Sequence, residues 1–272
     1  MAVNINVNQN NDTTINATSQ EGDIFADVVQ NNTANIAAET AEGDIAVNLA
    51  QDSDADLGLV SEEGDIEASV EQINIGVVEA ASEEGDIAVS LDQNADADVF
   101  AQSVEGDIVL DTFQANLGVV DAASEEGDIT LATEQTAFSD QVAVSEEGDI
   151  ELGTAQVNFL DADLTSVEGD IATESVQANI ATQYAETVEG DIFASLDQDN
   201  FADVLAQSEE GDVSSFLAQF NDADAFLATA EGDVDGTFDQ DNDANLDLAS
   251  VEGDLDGFAF ADNQIDVEAF GA

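Results

Sequence analysis

The sequence contains no Lys, Arg or His, so no side chain offsets its 64 Asp and Glu residues. Without Lys or Arg it has nothing to neutralise phosphates, which argues against nucleic acid or anionic membrane as a partner. General bases and nucleophiles are most often His, Cys or Lys, and none is present. Paired carboxylates can hydrolyse glycosides, but among 64 acids suitable pairs arise by chance and none stands apart. The expectation is a protein that is not an enzyme. Absent Cys excludes disulfides and thiol chemistry. No apolar run reaches the ~20 residues of a membrane helix, so no membrane insertion is expected. The opening Met1-Ala-Val-Asn-Ile-Asn lacks the charged and apolar regions of a secretory signal. Cations or basic surfaces remain as natural partners of a chain with net charge −64.

Acidic excess often accompanies disorder, but 43% of the residues are hydrophobic and they are strictly patterned. Glu-Gly-Asp followed by Ile, Val or Leu begins at Glu21 and recurs every 21 residues as far as Glu252. With Glu numbered as position 1, Met1 falls at position 2 and Ala272 at position 21. Residues 1–272 thus form a single domain of thirteen repeats less one residue, with 1–20 the first coil and 252–272 a divergent C-terminal coil. A fixed period of this size marks a solenoid, whose units cover one another.

Within each repeat, parity decides the chemistry. All 64 acidic residues fall at odd positions, while even positions carry no charge and are mostly Ile, Val, Leu, Ala, Gly, Ser, Thr, Asn and Gln. Alternation at period two marks a strand with one buried face. Even positions 4, 6, 8 and 10 pair by size with 18, 16, 14 and 12, giving two strands that face each other across an arc. The second arc runs from position 20 to the Gly at position 2, where positive φ is tolerated. The predicted fold is all-β: a parallel, in-register, two-sheet β-solenoid with one strand–arc–strand unit per 21-residue coil and thirteen coils. Rungs then lie about 4.8 Å apart and the sheets about 10 Å apart.

Position 10 is Gln in nearly every repeat, and Gln51, Gln72, Gln93, Gln114, Gln135, Gln156, Gln177 and Gln198 are expected to stack as an internal amide ladder. Together with Val7-Asn8-Gln9-Asn10-Asn11, Ser19-Gln20-Glu21-Gly22-Asp23 and Gln30-Asn31-Asn32-Thr33-Ala34-Asn35, this pattern resembles the curlin subunits of bacterial curli fibres. Curlin repeats usually place Gly between the Gln and the Asn and carry a second inward Gln, where this chain has Ser or Thr. The Ser-x-Glu-Gly-Asp-Ile run also resembles Ser-Gly-Asp-Ile repeats of bacterial adhesin domains. Both resemblances imply structural roles at the cell surface or outside the cell.

Two outward features are candidate sites. Glu42, Asp44, Glu63, Asp65, Glu84, Asp86, Glu105, Asp107, Glu126, Asp128, Glu147, Asp149, Glu168, Asp170, Glu189 and Asp191 form a double column of carboxylates beside the Gly turn. Like charges stacked in register repel, and calcium, which takes six to eight oxygens, is the apt divalent cation to offset them. The alternative is a solvated edge screened by bulk salt. The second feature is at position 13, where Leu117, Phe138, Phe159, Ile180 and Phe201 make an apolar interaction stripe, ended by Asp96 and Asp222. Thirteen of the fourteen Phe occupy odd positions, and only Phe238 is expected to point inward.

The expected function is that of an extracellular or cell-surface fibre subunit: a curli-like functional amyloid, for biofilm matrix or adhesion, that self-associates head-to-tail through uncapped solenoid ends. Two alternatives stay open: a monomeric, acidic, calcium-binding adhesin rod, or a designed repeat sequence whose only property is to fold.

Overall fold

A computed structural model describes residues 3–8, 12–29, 33–50, 54–71, 75–92, 96–113, 117–134, 136–176, 179–197, 201–218, 222–239, 243–260 and 264–271. All regular structure among them is β-strand, and the fold is a parallel two-sheet β-solenoid. Each coil contributes a short strand from positions 4 to 9, such as Ile108–Phe113, and each but the last a long strand from position 13 to the next Glu, such as Leu117–Glu126. The chain divides into two compact units, Met1–Ala137 and Phe138–Ala272.

In the first unit seven short strands line one sheet and six long strands the other. Pairing is parallel and shifted by one repeat, so that Ile87, Ile108 and Ile129 lie side by side, as do Ala80, Ala101 and Ala122. The second unit has seven long and six short strands in the same register, with Ile150 beside Ile171 and Ile171 beside Ile192. The reason is the period itself. A slip of one residue would set charged odd positions against apolar even ones.

The core lies between the sheets and is built from even positions. Ile24, Ile45, Ile66, Ile87 and Ile108 are buried to within 1% of their surface. Each contributes roughly 2 kcal/mol relative to an exposed side chain. The facing scheme holds where a hydrogen bond reports it: Thr173 at position 6 donates to the Gln183 side-chain oxygen at position 16, at 2.9 Å. Buried hydroxyls also pair along the stack, Thr112 donating to Thr133 at 3.2 Å.

The arcs differ from the parity expectation. In the one coil where the arc is fully described, Gln156 is exposed, Val157 is 2% exposed and Asn158 is exposed. Thr136, also at position 11, is buried as well. The inward positions there run 8, 11 and 14 rather than 8, 10, 12 and 14. Gln156 has φ of 60°, alone among the described non-Gly residues, and this reversal turns position 10 outward and brings position 11 in. The internal amide ladder is therefore corrected at Gln156. Gln51, Gln72, Gln93, Gln114, Gln135, Gln177 and Gln198 lie outside the described residues. An amide step does occur nearby, but outside: Asn179 donates to Asn158 across one coil at 2.7 Å. Buried amides sit instead at position 16, in Gln141 and Gln183.

Candidate functional site

The second arc is tighter than its sequence suggests. The long strand continues to Glu at position 1, and only Gly and Asp make the turn. Every Gly from Gly22 to Gly253 in this motif has positive φ, between 114° and 159°. The turns also press on one another. A Cβ built on Gly64 would lie 2.6 Å from the carbonyl oxygen of Gly43, in the coil below.

Polar backbone groups at this close approach need partners, and three sets of bonds supply them. Gly64 N–H donates to the Glu84 carbonyl at 2.8 Å, and Ile66 N–H donates to the Asp86 carbonyl at 2.9 Å. The inward Gly carbonyl accepts from the hydroxyl at position 20 of the same coil, as in Ser208 to Gly190 at 3.1 Å and Thr229 to Gly211 at 3.0 Å. Asp N–H donates to the Asp carboxylate one coil earlier: Asp107 to Asp86 at 3.0 Å in the first unit, and Asp212 to Asp191 at 2.8 Å in the second. The Asp is thus a structural acceptor before it is anything else.

All sixteen carboxylates proposed for calcium are exposed. Among the described residues no group of three or more acidic side chains is placed to hold a metal ion. One oxygen of each bonded Asp accepts a backbone N–H from the next coil.

In the second unit the register places Phe138, Phe159, Ile180 and Phe201 one above another, followed by Asp222. Their exposures of 51, 41, 37 and 52% are high for such large apolar side chains. The rings of Phe138 and Phe159 stack at 4.6 Å with planes 6° apart. The Leu117 and Phe238 side chains lie outside the described residues. Nearby, the Tyr184 hydroxyl donates to the Glu186 carboxylate, and this bond raises the phenol above its ordinary pKa of 10.0, with burial and the negative charges of Glu186 and Asp163 adding to it.

A family model described as Toastrack DUF4097 matches residues 4–120 and again 120–268. The chain belongs to the Toastrack family. The two matches span nearly all of it and support a structural repeat protein; they do not support a specifically curlin-like identity. No curated protein and no solved structure matches the chain. The Glu-Gly-Asp motif therefore has to be read from its own geometry. In that geometry Glu-Gly-Asp is a turn whose Gly is fixed by φ and close approach, and whose Asp is fixed by a hydrogen bond. Both Glu and Asp flank Gly in all twelve motifs, so the sequence marks the turn but not which acid bonds the backbone.

Proposed function

We propose that this Toastrack solenoid is a structural, non-enzymatic subunit that extends into filaments by adding a second copy at its first coil. The observation that carries the reading is the one-repeat register, which strands of a second copy would reproduce position for position. Among the described residues the strand Val3–Asn8 pairs with Ile24–Val29 alone. Its inward residues Val3, Ile5 and Val7 are half-exposed, whereas Ile24, Ala26 and Val28, which lie beside them, are buried. An open parallel edge with an uncovered apolar row is a template for further strands. A second copy brings strands of the same spacing and inward pattern, and head-to-tail contact of this kind does not close.

Repetition also supports a structural role. The same Asp and hydroxyl bonds recur from coil to coil, and no acid pair is set apart from the others. Charge opposes growth, since each added copy brings −64, so extension should strengthen as salt screens it. Negative-stain electron microscopy and sedimentation at low and high sodium chloride test the proposal. Filaments that lengthen with salt, and fail to form with Ile5→Asp and Val7→Asp, are expected. A monodisperse monomer at every salt and protein concentration overturns it.

A further inference from the structure

We propose that the apolar stripe of the second unit docks a cationic amphipathic helix of a partner protein. Phe138, Phe159, Ile180 and Phe201 form an exposed row one residue wide that runs across the strands. Two residues further along each strand, about 7 Å away, lies a second exposed row of Asp140, Asp161, Thr182 and Asp203. At the end of the stripe is a depression walled by Ile180 and Phe201 and edged by Asp203, Asp222 and Asp224. Apolar surface therefore runs parallel to a line of carboxylates and finishes in a hollow that offers both.

The complement of this surface is an apolar row with Lys or Arg along one flank. A helix supplies it at the right spacing. Its turns repeat every ~5.4 Å, against rungs about 4.8 Å apart, so three steps accumulate only about 2 Å of mismatch. An extended peptide laid along the same row repeats each face at about 6.8 Å, so three steps accumulate about 6 Å of mismatch. A Lys or Arg from the helix end would enter the hollow, over the Phe201 ring and among three carboxylates, where cation–π attraction adds to charge.

Charge also decides against a second copy as occupant. This chain has no Lys, Arg or His, so two stripes brought face to face would oppose their Asp rows with nothing between them.

The probe is a synthetic Leu/Lys peptide with Leu confined to one helical face, compared with a scrambled peptide of the same composition and charge. Fluorescence anisotropy with the full chain is expected to show at least about tenfold tighter binding of the amphipathic peptide. Phe138→Ser, Phe159→Ser and Phe201→Ser combined should abolish that preference and leave only weak, salt-sensitive binding common to both peptides. Asp203→Asn, Asp222→Asn and Asp224→Asn combined should weaken the amphipathic peptide. Asp54→Asn with Asp56→Asn, exposed acids of the first unit away from the stripe, should change nothing. Circular dichroism checks folding, and Phe201→Ser alone is read the same way if the triple variant unfolds. Equal binding of the two peptides overturns the proposal, as does a preference that survives loss of the Phe rings. So does self-association, or sedimentation with phosphatidylcholine vesicles, that the Phe variants abolish without any peptide preference; either assigns the stripe to another occupant.

Discussion

Replacing Gly85 with Ala tests whether the Glu-Gly-Asp turn is set by backbone and close approach. Gly85 has φ of 135°, and an added Cβ would meet the Gly64 carbonyl oxygen at 2.6 Å and its carbon at 2.7 Å. Both contacts are to backbone, so no side chain can rotate away. The φ region alone costs roughly 1–3 kcal/mol for a residue other than Gly, and forcing a methyl into packed atoms about 1–3 kcal/mol more. The total, ~2–6 kcal/mol, corresponds to a midpoint lower by about 1–3 M urea at an m-value of ~2 kcal/mol/M. Gly58→Ala and Gly153→Ala are matched controls, because a Cβ there meets nothing within 4 Å. These should stay within about 0.5 kcal/mol of the parent, with any gain coming from a stiffer unfolded chain. Urea unfolding followed by circular dichroism reads all three variants. If Gly85→Ala is as harmless as Gly58→Ala, the turn does not need Gly and the account of the motif is wrong.

Ser208→Ala leaves the half-buried Gly190 carbonyl without its donor and should cost about 1–2 kcal/mol; Ser208→Thr should be near neutral in the same urea assay, because Thr229 makes the equivalent bond one coil later. Asp191→Asn keeps an oxygen to accept from Asp212 N–H and removes one repelling charge, so it should melt above Asp191→Ala by the equivalent of about 1 kcal/mol; equal losses would show that the bond contributes nothing. Tyr184 is the only tyrosine, so tyrosinate absorbance titrates one group; its midpoint should lie above 10.0 and fall towards that value in Glu186→Gln. Sodium chloride should raise the melting temperature by screening the acidic edge, and calcium chloride at equal ionic strength should do little more. A far larger calcium shift would place the ion between the Glu and Asp columns.

The period and parity of the sequence were sufficient for the strands, their parallel register and the inward face. These follow because an odd period of 21 still returns every residue to its own kind one coil later. The Thr173–Gln183 contact shows that even the facing of positions 6 and 16 could be read from size and polarity alone. Curvature could not. Gln156 takes a positive φ that no Gly announces, and this single reversal moves Val157 inward. The roles of the acids were equally hidden, since an outward Asp that accepts a backbone N–H looks the same in sequence as a solvated one. The apolar stripe was legible because Phe138, Phe159, Ile180 and Phe201 share a position, but its exposure and the hollow at its end depend on how neighbouring strands pack.

The one-repeat register also governs how such a chain reaches its fold. Each strand finds its partner 21 residues away, as Ile108 finds Ile129. In a chain of 272 residues that separation is about 0.08 of the length, a ratio typical of fast-folding helical proteins rather than of β-sandwiches. Loop closure is therefore cheap and nearly the same at every step. Folding can begin at any coil and spread to the next. During synthesis each new coil can dock on the one before as soon as it is complete, so little unpaired strand ever waits for a partner.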